Sequence, residues 1–255
     1  MYRDKNWLFT EFIEKNRSAD DIAEECKVTN VTIRFWARKF GLRRRRWGSK
    51  KLNERFFDKI TTERQAYWLG FLAADGSVQN KPGKRLLSVV LANKDRGYLE
   101  LFRDHIESEH NIYYFERDKE YKGYKYHSEV VQLDLPSSRL VEGLVKNGIV
   151  PNKTKILQPP KLPSRLVRHW IRGYFDGDGS VSRDKSGNPY GSIFGNREVM
   201  EFVLHHCAML RGPYAQQNGW VVCFSGKDKA SQLKSFLYNR STVCLQRKKD
   251  LFERK

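Results

Sequence analysis

The sequence is short of acid, of paired cysteine and of long apolar runs, and each shortage removes a class of protein. Asp and Glu number 30 against 48 Lys and Arg, a formal net charge of +18. An excess of that size keeps acidic ligands near the surface and implies a polyanionic partner. No apolar run approaches the length that spans a bilayer, so no membrane partner is expected. Met1 to Lys5 lacks the apolar core of a secretion signal. Cys26, Cys207, Cys223 and Cys244 are scattered with no CxxC pair, which fits a reducing compartment and argues against structural zinc. Yet 39% of the chain is hydrophobic and 13% aromatic, too much for a disordered basic tail. At 255 residues there is room for one large domain or for two or three small ones.

What is present centres on residues 170–181, WIRGYFDGDGSV. Apolar residues keep helical rhythm to Phe175, and Asp176-Gly177-Asp178-Gly179 then reads as a helix stop. Gly179 is expected to turn left-handed there, and Ser180-Val181 to begin a strand. Residues 68–78, WLGFLAADGSV, carry a second copy. At a constant offset of 103 residues, Gly70, Asp75, Gly76, Ser77 and Val78 fall on Gly173, Asp178, Gly179, Ser180 and Val181. The same offset takes Asn93-Lys94-Asp95 onto Asn196-Arg197-Glu198. Each copy puts a carboxylate at a helix C-terminus, facing the negative end of the helix dipole. Two such groups brought together also repel, and a shared divalent cation relieves both penalties. Gly70 with Ala74, and Gly173 with Gly177, make flat stripes at i, i+4. If the stripes pack on each other as a helix interface, Asp75 and Asp178 end side by side.

Residues 1–42 form a separate small helical unit. A short helix is expected over 7–16, then a helix capped by Ser18 with Asp20 and Asp21 in its first turn. After Lys27-Val28-Thr29, a helix capped by Thr29 or Asn30 runs to Phe40. Ile22, Ala23 and Cys26 face Ile33, Trp36 and Ala37, a spacing that resembles the helix-turn-helix DNA-binding motif. Lys27 stands where that motif usually has glycine. The outward side carries Thr32, Arg34 and Arg38, candidates for DNA contact. Residues 43–60 read as a basic linker, and Arg43, Arg44, Arg45 and Arg46 as contacts to DNA phosphate.

Two units of the same order, αββαββα, follow over 61–150 and 165–255, the second with a basic tail and the two joined by a proline-rich connection over 151–164. The fold class is α+β: two pseudo-symmetric repeats beside a small all-α domain. With WLGFLAADG, IRGYFDGDG, the PNKTKILQPPKLPS segment and the closing STVCLQRKKDLF all in view, residues 61–252 resemble the LAGLIDADG homing endonucleases. The resemblance implies a monomer with a pseudo-twofold axis between the motif helices, whose two sheets form a saddle over double-stranded DNA. It implies that Asp75 and Asp178 bind metal and activate water, with Ala74 and Gly177 in the same metal site and Mg2+ (or Mn2+ in its stead) as cofactor. It also implies that Lys153 and Lys248 assist catalysis, Lys155 and Lys249 being close competitors. Asp176 faces Ala73 across the repeat, so it serves no role needed twice, and Arg172 opposite Leu69 points to an asymmetric interface. Strand alternation assigns Gln79, Lys81 and Ser182 to base edges, where Gln suits adenine and Lys guanine.

The function expected is metal-dependent, site-specific cleavage of a long duplex target. The setting implied by resemblance is intron homing by a mobile element of bacterial or phage type, in the cytoplasm and without a protein partner. The helix-turn-helix would extend the recognised site. The alternative is a non-catalytic binder on the same fold, a group I intron RNA maturase or a DNA-binding regulator.

Overall fold

A computed structural model describes residues 1–15, 17–42, 50–121 and 124–253. Its contacts divide the chain into two compact units, Met1–Lys50 and Lys51–Lys255. No helix among the described residues is long and apolar enough to cross a membrane.

In the first unit, α1 (Lys5–Phe9) runs into a π-helical turn (Thr10–Glu14), where a single α-helix over 7–16 was expected. α2 (Ala19–Glu25) starts at a capping box: Ser18 accepts from the Asp21 N–H and Asp21 reaches back to the Ser18 N–H. α3 (Asn30–Lys39) is capped by Thr29. Lys27, between α2 and α3, adopts φ 55°, the left-handed conformation that glycine takes at lower cost. Leu8, Ile22 and Ile33 are fully buried where the elements meet.

The second unit begins at its N-terminal edge with residues 51–60. These were expected within the linker, but Phe56 and Phe57 are buried in the main core and the Asn53 N–H donates to the Ile106 carbonyl. Basic flanking residues had masked two adjacent aromatics. α4 (Glu63–Asp75) opens with a second capping box, Thr62 with Gln65. It leads into β1 (Gly76–Lys81), β2 (Lys84–Ala92), a 3-10 turn (Asn93–Asp95) and α5 (Arg96–His105). β3 (Ile112–Tyr121), β4 (Tyr124–Leu135) and α6 (Ser138–Lys146) complete the repeat, and a 3-10 turn over Lys153–Lys155 sits in the connection. The second repeat is α7 (Ser164–Asp178), β5 (Gly179–Arg183), β6 (Pro189–Gly195), α8 (Arg197–His206), β7 (Arg211–Gln216), β8 (Gly219–Ser225) and α9 (Lys227–Tyr238). The last segment, where a basic tail was expected, contains a helix, α10 (Gln246–Leu251), that buries Lys248. Both sheets are antiparallel and share one order, β1-β2-β4-β3 and β5-β6-β8-β7.

α4 and α7 form the centre of this unit. Trp68, Phe71, Trp170 and Phe175 are all essentially buried, and each such side chain stabilises the fold by about 1.5–3 kcal/mol. The helices approach through their glycines. A Cβ on Gly70 would lie 2.0 Å from the Trp170 carbonyl oxygen, and one on Gly173 1.9 Å from that of Tyr67. Only hydrogen at those positions lets the backbones touch.

The helix ends differ from expectation in two ways. α7 continues through Asp176 and Gly177 to Asp178, because close packing on α4 sustains the helix past its glycine. Gly179 has φ −80° and ψ 154°, so the chain leaves in an extended and not a left-handed conformation, and Gly76 does the same at φ −73° and ψ 141°. Each helix passes directly into a strand. Glycine is required there for proximity: a Cβ on Gly179 would stand 2.5 Å from the Phe175 carbonyl oxygen.

Candidate active site and nucleic-acid faces

Because α4 and α7 pack along matched stripes, their last residues arrive together. A Cβ on Gly177 would meet the Ala74 Cβ at 2.3 Å and the Asp75 Oδ2 at 3.2 Å. Asp75 and Asp178 therefore flank one point, with their carboxylates open to solvent at the ends of two buried helices. The protein around Asp178 withholds water and Asp75 adds its charge, so the Asp178 carboxyl is pushed up to about 6. Asp75 is raised as well, by desolvation first, against the pull of Lys248 and Lys153.

A lysine covers each helix end. Lys248 Nζ donates to the carbonyls of Phe175, Gly177 and Gly179 at 2.9, 2.8 and 2.7 Å. Lys153 Nζ donates to the carbonyl of Ala74 at 3.3 Å and to that of Gly76. Ala74 and Gly76 are the counterparts of Gly177 and Gly179, so the two lysines occupy equivalent posts. Burial pulls Lys248 down to about 8 and lowers Lys153 too, while the neighbouring aspartates oppose both shifts. The ammonium groups donate to carbonyls at the helix ends, of which that of Phe175 also accepts from the Gly179 N–H. Ala74 and Gly177, expected in the metal site, thus already accept from lysine, each carbonyl keeping a second lone pair. Lys155 is exposed and Lys249 half-buried, and no side-chain hydrogen bond ties either to a helix end.

Three residues that sequence reasoning did not assign a site role hold this arrangement. Asp95 accepts two hydrogen bonds from the Arg247 guanidinium, at 2.6 and 2.7 Å, and so ties the first repeat to the helix bearing Lys248. Asp176 is buried and accepts from the hydroxyls of Tyr67 and Tyr238 at 2.6 Å and from the Leu245 N–H at 2.7 Å, one residue before that helix. Arg172, fully buried, donates to Glu63 at 2.6 Å and to the carbonyls of Val243 and Leu237 at 2.9 and 3.1 Å. The repeated Asn93-Lys94-Asp95 was the available signal for Asp95. For Asp176 and Arg172 the signal was a departure from symmetry.

The donor set fits a hard cation. Among the described residues no group of three or more His, Cys, Asp or Glu could hold a metal. Two carboxylates at one point, both made reluctant to ionise by desolvation, are nonetheless the usual protein share for magnesium, which takes one or two carboxylates and completes its shell with water and phosphate.

The sheets present an open face on the side away from the core. On β1, Val78 is buried while Ser77, Gln79 and Lys81 alternate outward. Register sets Ser77 beside Ser88 on β2 and Ser88 beside Asp134 on β4, while Val90, Gln132 of β4 and Tyr113 of β3 form the next row. On β5, Val181 points inward, and Ser180 and Ser182 outward, with Tyr190 of β6 next to Ser182. Tyr113, Phe115, Tyr190 and Tyr214 remain 42–51% exposed on these faces. In the first unit Arg34 and Arg38 are exposed on α3 and make no ion pair with another described residue. Thr32 is half-buried, with its hydroxyl 3.1 Å from that of Thr29, so it belongs to the helix cap. Arg43, Arg44, Arg45 and Arg46 lie outside the described residues.

Residues 62–132 match the family model of the LAGLIDADG-like domain. No curated protein matches the chain in sequence. Among solved structures, the homing endonuclease I-WcaI bound to its DNA recognition sequence aligns at TM-score 0.55 and 14% identity, over 77% of this chain and 90% of that one. The I-LtrWI LAGLIDADG homing endonuclease bound to target DNA aligns at 0.47 and 13% identity, over 72% and 86%. I-SmaMI bound to an uncleaved DNA target in the presence of calcium ions aligns at 0.47 and 12% identity, over 73% and 87%. At such identities the likeness to I-WcaI speaks for the fold: an α+β pair of LAGLIDADG-type repeats.

Proposed function

We propose that this chain, whose first repeat carries a LAGLIDADG-like domain, is a site-specific endonuclease that cuts double-stranded DNA. The observation that carries the reading is the pairing of Asp75 and Asp178 at the ends of two packed helices, with Lys153 and Lys248 over those ends. Two carboxylates facing a phosphate weaken binding unless a cation lies between them. A binding-only protein would gain nothing from keeping both. The I-WcaI fold, met in complex with DNA, and the net charge of +18 support duplex DNA as the substrate.

Asp75 and Asp178 would hold magnesium, with manganese as a substitute. When bound, the cation polarises the scissile phosphate, lowers the pKa of water and offsets charge on the leaving 3′ oxygen. The remaining work falls to the chain itself. Above about pH 6 the Asp178 carboxyl is ionised and able to serve. Lys248 and Lys153 set positive charge beside the phosphate, where a preorganised cation stabilises the transition state without reorganising. Lys248, pulled to about 8, also lies in the range where a lysine exchanges protons near neutrality. Asp95 and Asp176 keep the Lys248 helix seated through Arg247 and the Leu245 N–H. Gln79, Lys81 and Ser182 would meet base edges in the major groove, and the helix-turn-helix would lengthen the site through Arg34 and Arg38. Two repeats in one chain provide both halves of the centre, so a monomer suffices.

The test is cleavage of a pooled duplex library in magnesium, with the cut ends sequenced. Cuts clustered on one long sequence, lost in Asp75→Asn and in Asp178→Asn, are the expected result. Cutting retained in both variants overturns the assignment. Selective retention without cutting, in magnesium and in manganese, favours the non-catalytic binder.

A further inference from the structure

The outward surface of α3 is built of two parallel ridges. Arg34 and Arg38 form one at i, i+4, and Val31 and Phe35 form the other, again at i, i+4. Val31 is 69% exposed and Phe35 59%, both beside exposed cations. Isolated exposed apolar residues are ordinary. Here, however, two of them occupy the outer row of the helix, while the inner row, Ile33 and Ala37, is already buried against α2. Phe35 sets its ring edge-on to that of Trp36 at 5.9 Å, a contact that still leaves more than half of Phe35 exposed.

The neighbouring polar groups at the start of α3 are already engaged. Asn30 donates to Asp20 at 2.5 Å, and Thr32 is tied to Thr29. Val31, Arg34 and Phe35 are therefore the side chains that the first turns of α3 offer outward. In a helix-turn-helix the early residues of the second helix meet the base edges. The only apolar feature of a base edge in the major groove is the thymine 5-methyl group. The cationic ridge selects a polyanion, and the apolar ridge has one matching surface on it. Resting on the DNA-cleavage reading above, we infer that Val31 and Phe35 read thymine methyl groups in the part of the target bound by the first unit, and that Arg34 and Arg38 supply the adjacent phosphate or guanine contacts.

The experiment uses the full chain in metal-free buffer, on the duplex it selects from a random pool. Each thymine of that duplex is replaced in turn by uracil, which differs only by the methyl. Uracil at one or two positions is expected to weaken binding about fourfold each, the worth of one buried methyl group. In Phe35→Ala and Val31→Ala the thymine and uracil duplexes are expected to bind alike at those positions. Because both side chains are exposed, the variants are expected to fold, and the uracil series itself needs no protein variant. Arg38→Ala should instead weaken both duplexes together and flatten the salt dependence. The inference is overturned if no uracil substitution couples to Val31 or Phe35. It is equally overturned if Phe35→Ala weakens thymine and uracil duplexes by the same factor, an outcome that would assign the ridge to another partner such as a protein. Selection of no duplex at all counts against the DNA-cleavage reading first and so separates the two failures.

Discussion

Replacing Asp178 with Asn should make the protein more stable while ending the proposed cleavage. The ordinary aspartate value of 3.8 is pushed up to about 6 in the fold, by lost hydration and by the Asp75 charge. Unscreened, a shift of two units corresponds to about 3 kcal/mol of destabilisation by the ionised form. Asp178 reaches solvent, so screening reduces that to about 1 kcal/mol. The sign follows from proton binding. Below pH 4 the group is protonated folded and unfolded, and its charge costs nothing. The cost grows as the pH rises from about 4 to about 6 and is complete above that. Asn keeps the shape of the side chain and removes its charge, while the Tyr174 hydroxyl goes on donating to the Phe194 carbonyl. Asp178→Asn is therefore expected to melt about 2–4 °C above wild type at pH 7.5. The difference should vanish near pH 4. Thermal unfolding of both proteins in metal-free buffer at the two pH values measures it. A variant that melts at or below wild type at pH 7.5 would refute the claim that the carboxylate pair is under electrostatic strain, and with it the case for a cation.

Three further outcomes follow from the same geometry. The magnesium concentration needed for half-maximal cleavage should rise as the pH drops through about 6, where metal-free Asp178 takes up its proton, and a requirement that stays flat between pH 5 and 8 would contradict that. Lys248→Met strips donors from three carbonyls and should cost about 2–4 kcal/mol in a urea titration. It should also slow single-turnover cleavage by about a hundredfold or more. Lys153→Met, which frees two carbonyls at a half-exposed post, should cost less stability. Gly173→Ala drives a methyl to 1.9 Å from the Tyr67 carbonyl oxygen and should destabilise by about 3 kcal/mol. Wild-type stability in that variant would mean that the helices are not in backbone contact.

Much of this molecule is written in local pattern. The offset of 103 residues determined the duplication, and stripes such as Gly70 with Ala74 determined which faces of the motif helices could touch. Capping residues Ser18, Thr29 and Thr62 stand where the helices begin, because a side-chain oxygen before a helix has one local use. Alternation put Gln79 and Lys81 opposite Val78. Each of these depends on neighbours a few residues away, or on comparison of the chain with itself. Tertiary structure decided the rest. Whether Gly179 turned left-handed or ran straight depended on the Phe175 carbonyl beside it and on the strand that follows. Asp95 reaches Arg247 across 152 residues, and Asp176 meets Tyr67 across 109. Lys248 lies in a segment that composition marks only as a basic tail, yet it is buried, because only the folded chain brings the carbonyls of Phe175, Gly177 and Gly179 to one point. Periodicity carries no information about such meetings, since the free energy of a buried polar contact is set by the partner that arrives and by the water it displaces.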